Sequence, residues 1–168
     1  KNLNLINTLQ KSEKDISENI MITDLVRNDL SITAKRNSVK VEELCKVFTF
    51  NNINQMISTV TSEIDQCLSI DKILSSTFPM GSMTGAPKLR SMQLIEKFED
   101  FNRGIYSGSI GYIDPKNNFD FNVIIRSIIY NEENLNLSFS VGSAITAESD
   151  PYAEYNECIE KLKSVFNF

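Results

Sequence analysis

Asp15 and Glu18 stand three residues apart, and Glu154 and Glu157 repeat that spacing near the other end of a 168-residue chain. Residues i and i+3 are neighbours on a helix surface, so each pair can aim two carboxylates at one point. A donor set made only of oxygen suits Mg²⁺, which takes few protein carboxylates and keeps several waters. Acids in the first turns of a helix are also favoured by the helix dipole with no ligand present. Spacing alone leaves both readings open for Glu154 and Glu157. Histidine is absent, which excludes His-based triads, HExxH zinc sites and a His general base within this chain. Chemistry here must use carboxylates, Lys, Tyr, amides or backbone groups.

Two further features have chemical potential. Residues 81–88, GSMTGAPK, form a glycine-rich turn that runs into a helical pattern. Backbone N–H groups at such an entry can receive a carboxylate or phosphate. The turn does not match GxxxxGK[ST], and a plain helix entry has the same composition. Arg126 lies within the apolar run FNVIIRSIIY, where a charge needs a partner. Either it pairs with an internal acid, or it faces a cleft and clamps a carboxylate.

These residues need elements to position them. A short helix is expected at the polar N-terminus. The stretch ENIMITDLVRNDL, residues 18–30, has apolar side chains around most of a helical wheel and predicts a largely buried helix. Residues 45–50 and 53–64 read as strands, and residues 71–77 as a short helix ending before Pro79. Pro87 suits a first helical turn, and apolar periodicity carries that helix to about residue 98. Residues 105–113, 119–130 and 135–141 read as three antiparallel strands joined by Asn- and Asp-rich turns. In the last helix Asp150 is the cap and Pro151 the first residue. The fold class is α+β with an antiparallel sheet and packed helices, and the length suggests one folding unit.

Composition excludes other classes. The net charge is −5 and basic residues are dispersed, so the electrostatic footprint of a nucleic-acid binder is missing. No apolar run is long enough to span a bilayer, and the N-terminal residues lack a secretory h-region. Cys45, Cys67 and Cys158 lack CxxC spacing. They read as free thiols in a reducing compartment, which makes a cytoplasmic location the expectation.

Seven segments in order carry a resemblance. They are ENIMITDLVRNDL, SVKVEEL, ISTVTSEI, PMGSMTGAPKLRSMQLIEKFE, RGIYSGSIGYI, DFNVIIRS and SDPYAEYNECIEKLK. Together they resemble the chorismate-binding enzymes, which include aminodeoxychorismate, anthranilate, isochorismate and salicylate synthases. The resemblance implies that Asp15, Glu18, Glu154 and Glu157 are Mg²⁺-site acids, with Asp15 where Glu is common. The metal would hold the substrate's ring carboxylate and help its C4 hydroxyl leave. Thr84 and Gly85 match the substrate-binding turn. Tyr106 and Arg126 match the pair that grips the enolpyruvyl carboxylate. Gly142 and Ser143 match a strand end facing the substrate, and Lys161 a basic residue near metal and carboxylate.

Departures accompany the match. Gln55 stands where the family often has a histidine near the leaving hydroxyl, and Ala144 replaces a third strand-end glycine. The family's PIxGT segment, whose variable residue is a nucleophilic lysine in aminodeoxychorismate synthases, is expected upstream of Lys1. The chain thus resembles the C-terminal part of a family member, inactive alone and with apolar surface that favours a homodimer. The SMT and GSIG turns look more like members that aminate chorismate at C4 with ammonia from a glutaminase subunit. Anthranilate synthases more often show TLSGAPK and GAVGY. Anthranilate formation, or a fragment that only folds and docks, are the alternatives.

Overall fold

The computed structural model describes residues 2–50, 53–147 and 149–166. Its contacts divide the chain into two compact units, Lys1–Asp100 and Phe101–Phe168, where length alone suggested one. The class is α+β, and each sheet among the described residues is an antiparallel pair.

The first unit contains α1 (Asn2–Gln10), α2 (Glu13–Ser31), β1 (Lys40–Thr49), β2 (Asn54–Thr61), α3 (Ile70–Thr77), α4 (Gly81–Thr84) and α5 (Lys88–Phe98). α2 begins earlier than its apolar pattern suggests, because the Ser12 side chain caps it by accepting from the Asp15 N–H at 3.3 Å. The helix is not largely buried. Thr23 and Asp29 are its buried residues, while Ile20 and Met21 are exposed. Its apolar wheel is real, but α2 packs against the β1–β2 hairpin, α3 and α4 on part of its circumference and leaves the rest to solvent.

Strands β1 and β2 pair from Lys40↔Thr61 to Thr49↔Asn54, with register shifts between Val41 and Lys46. Cys45 sits in the second shift with φ of 51°, and its N–H donates to the Ser58 hydroxyl at 2.9 Å. Ser58 in turn donates to Asn19 Oδ1 on α2, and the Cys45 thiol lies 3.5 Å from the same oxygen. A bulge thus exchanges ladder bonds for a polar knot that fastens α2 to the hairpin. Met56, the one buried apolar side chain among the described residues, shares the Ser58 face by strand alternation.

The second unit contains β3 (Ser109–Ile113), β4 (Phe119–Val123), β5 (Ile128–Asn131), β6 (Asn136–Phe139) and α6 (Pro151–Phe166). β3 pairs with β4, and β5 with β6. The continuous strand expected over 119–130 is broken. Ile125 N–H closes on the Val123 carbonyl at 3.1 Å, a γ-turn bond, and Arg126 follows with φ of 50°. The strand expected from residue 105 starts at Ser109, because residues 103–107 form a turn closed by Tyr106 N–H on the Arg103 carbonyl. α6 begins as its sequence indicates, with Asp150 Oδ1 accepting from Ala153 N–H at 2.8 Å. No helix among the described residues is long and apolar enough to cross a membrane.

Candidate active site

In the first unit, the start of α2 carries Asp15, exposed, and Glu18, half-buried. The Lys14 ammonium is 4.0 Å from the Glu18 carboxylate. Asn19, next in sequence, is the residue fixed by Ser58 and Cys45, so the local backbone of Glu18 is anchored to the hairpin. Gln55 is exposed on β2, opposite Phe48. Alternation sets it on the other face of the hairpin from Met56 and Ser58, and so away from the face that α2 covers.

The glycine-rich turn is more structured than a plain helix entry. α4 is one short helical turn, and Gly85 N–H closes on the Gly81 carbonyl at 3.0 Å. Gly85 has φ of 130°, and a Cβ there would lie 2.8 Å from Ser91 Oγ. Glycine is therefore favoured on conformational grounds, and a Cβ would also have to displace the Ser91 hydroxyl. Thr84 donates its hydroxyl hydrogen to the Met80 carbonyl at 3.0 Å, which leaves that oxygen to act toward a ligand as an acceptor. Pro87 is the N-cap of α5 in an extended conformation and not its first helical residue. Its ψ of 135° keeps it outside the helical turn, which starts at Lys88.

The second unit gathers six of its seven sequence-indicated residues. Gly142 lies against Tyr106, so closely that an added Cβ would be 2.7 Å from the Tyr106 hydroxyl. Ser143 donates its hydroxyl to the Glu154 carboxylate, which is buried at 4% exposure. Lys161 donates to the Gly142 carbonyl at 2.9 Å and pairs with Glu157 at 2.8 Å. Tyr106, Gly142, Ser143, Glu154, Glu157 and Lys161 thus form one chain of contacts between the loop after β6 and one face of α6. Arg126 is exposed and lies between strands, not inside one. Its segment nevertheless runs beside that of Tyr106, because Ser107 N–H donates to the Ile124 carbonyl and Ile124 N–H to the Gly108 carbonyl. Arg103 lies over the Tyr106 ring, 5.9 Å from its centroid.

The donor chemistry fits Mg²⁺. Glu154 and Glu157 present carboxylates one helical turn apart, and Ser143, the donor to Glu154, is neutral. Within each unit, no three described His, Cys, Asp or Glu side chains gather as a cage.

Two structural features escaped the sequence reading. Lys88, at the end of the glycine-rich turn, pairs with Asp29 of α2 at 2.5 Å. An acid inside the apolar run MITDLVRNDL was the available signal, since a buried charge needs a partner. The Asn19–Ser58–Cys45 knot had no such signal, because all three residue types are common in solvated positions.

A family model described as chorismate binding enzyme matches residues 1–167, and the chain belongs to that family. It is 41% identical over 159 residues to the chloroplastic aminodeoxychorismate synthase of Arabidopsis thaliana, covering 95% of this chain and 17% of the relative. It is 36% identical over 157 residues to anthranilate synthase component 1 of Aquifex aeolicus, covering 94% of this chain and 31% of that protein. The crystal structure of anthranilate synthase component I from Streptococcus pneumoniae superposes with a TM-score of 0.84 at 32% identity. That match covers 96% of this chain and 37% of the other. The chain therefore spans well under half the length of the relatives it matches.

Proposed function

We propose that this chain contributes to amination of chorismate at C4, giving 4-amino-4-deoxychorismate and water with ammonia from a glutamine amidotransferase partner. The reading is supported above all by the contact chain from Tyr106 through Gly142 and Ser143 to Glu154, Glu157 and Lys161. It is the arrangement expected of a site that must hold a dianionic substrate beside a cation.

In this reading Tyr106 and Arg126 receive the enolpyruvyl carboxylate, the one by a hydrogen bond and the other by a planar charged fork. Thr84 and Gly85 supply the turn against which the substrate rests. Glu154 and Glu157 of the second unit would hold Mg²⁺; Asp15 and Glu18 are added to them by the family resemblance alone. When bound, the ion supplies positive charge for the ring carboxylate and for the departing C4 hydroxyl. Lys161 keeps Glu157 and the Gly142 carbonyl at fixed positions. Gln55 can hydrogen-bond a departing hydroxyl but cannot shuttle a proton at neutral pH. The product would enter p-aminobenzoate and folate synthesis, as a cytoplasmic activity.

Higher identity to the Arabidopsis protein than to the Aquifex one supports C4 amination, as do the SMT and GSIG turns. Anthranilate formation is the second reading, favoured by the likeness to the Streptococcus structure. Product analysis separates them. The protein as encoded by its gene is incubated with chorismate, Mg²⁺ and ammonium. Aminodeoxychorismate is expected; anthranilate as the main product would overturn the C4 assignment, and unreacted chorismate would overturn both.

A further inference from the structure

The contact between α2 and the glycine-rich turn has a geometry that fold stability alone does not require. Leu25 and Asp29 are four residues apart on α2, one above the other on the same stripe. Gly81 is buried against Leu25, where a Cβ would lie 2.5 Å from Leu25 Cδ2. At the other end of the turn, the Lys88 ammonium is 2.5 Å from Asp29 Oδ2. The two side chains are 19% and 8% exposed, so the pair is mostly withdrawn from water. An ion pair in such a place returns little net stability over apolar side chains of similar size. What it adds is direction: a fixed charge on α2 holds the first residue of α5 in one place.

We propose that Asp29 and Lys88 are positioning residues for substrate binding. With Gly81 seated on Leu25, they clamp both ends of the turn over 81–88 to α2. The backbone of Thr84 and Gly85 is thereby held in one conformation before the substrate arrives. The inference rests on the reading that this turn faces chorismate. Gly85 is the place where looseness would be felt, since its φ of 130° is a conformation that only the surrounding contacts select.

The test uses Asp29→Asn, Lys88→Gln, the double variant, Lys88→Arg and Gly85→Ala in the protein as encoded. Chorismate KM and kcat are measured alongside hydrogen exchange of the amides over 82–88. We expect Asp29→Asn and Lys88→Gln to raise KM about tenfold with kcat changed less, the pattern of lost ground-state positioning. Exchange over 82–88 should rise while that of α6 stays unchanged, and Lys88→Arg should retain most of the wild-type KM. The double variant, which leaves no buried lone charge, should regain thermal stability but keep the raised KM. Recovery of both together would show a merely structural pair and overturn the proposal. Unchanged exchange over 82–88 would overturn it as well. Gly85→Ala distinguishes the two levels of the argument. If it raises KM while the Asp29 and Lys88 variants do not, the positioning role fails and the substrate-facing turn stands. If Gly85→Ala leaves KM unchanged, the substrate-facing reading itself fails, and the positioning role with it.

Discussion

The ammonium of Lys161 donates to the carbonyl oxygen of Gly142 at 2.9 Å, tying the middle of α6 to the loop that follows β6. The same ammonium pairs with Glu157 at 2.8 Å, so one cation sets both a backbone oxygen and a candidate metal ligand. Lys161→Met should lower kcat/KM for chorismate by about tenfold or more through misplacement of both groups. Its effect on stability should be below about 1 kcal/mol, because the pair is partly solvated. Steady-state kinetics and a thermal melt on the same preparation check this. A loss of stability without loss of activity would contradict it.

Ser143→Ala removes the hydroxyl donor to the buried Glu154 carboxylate. A lost hydrogen bond to a charged group should cost about 1–3 kcal/mol in denaturant unfolding. Added Mg²⁺ should recover part of that loss, since an ion bound by the folded state alone stabilises it in proportion to its occupancy. Unfolding curves that do not respond to Mg²⁺ would count against Glu154 as a metal ligand.

Gly142→Ala would place a methyl group 2.7 Å from the Tyr106 hydroxyl. Gly142 is exposed and the contact is with the far end of a side chain, so the fold should survive. The expected outcome is a fall of about tenfold or more in kcat/KM with little change in melting temperature. Full activity would mean that the position of the Tyr106 hydroxyl is immaterial.

Arg126→Ala should cost about 2–5 kcal/mol of substrate or transition-state binding, the usual loss for one partner of a desolvated charge pair. The side chain is exposed in the absence of ligand, so the folded protein should barely notice the change. Wild-type kcat/KM in this variant would remove Arg126 from the carboxylate grip.

The β3–β4 turn carries a pH dependence. The Asn118 side-chain amide donates to Asp114 at 2.8 Å, and the N–H groups of Asn118 and Lys116 add bonds at 2.9 and 2.7 Å. The Asn118 side chain foremost, then these backbone bonds against an opposing desolvation, hold the Asp114 carboxyl below the ordinary 3.8. A folded-state pKa below the unfolded one means that the stabilisation is fully present above 3.8 and lost as pH falls through the lowered value. Asp114→Asn should therefore unfold at lower denaturant than the unmutated protein near neutral pH, and the gap should close under acid. A gap that persists unchanged in strong acid would show that the carboxylate charge is not its source.

Much of the helical framework was legible because its signals are local. Asp150 and Pro151 marked the start of α6, and the period of Leu89, Met92, Ile95 and Phe98 marked α5. The acid pair on α6 followed from the same helical spacing, whereas Lys161 entered only through the family resemblance. The features that escaped depend on backbone conformation or distant partners. FNVIIRSIIY has neither glycine nor proline to announce a break, yet a γ-turn and a left-handed Arg126 divide it. Lys88 finds a partner 59 residues away in sequence, which no local period encodes. Cys45 adopts a positive φ without being glycine or asparagine, because Ser58 and Asn19 hold the bulge from outside.

The knot at Asn19 and the ion pair at Asp29 have a joint mechanical consequence. The two residues lie ten positions apart on α2, a rise of roughly 15 Å. One end of this rod is pinned to the bulge at Cys45, and the other to the first residue of α5. A helix fastened at two such points can neither spin nor slide by one residue without breaking one of them. Within this unit the bulge of the β1–β2 hairpin and the first residue of α5 are thereby fastened to one and the same rod.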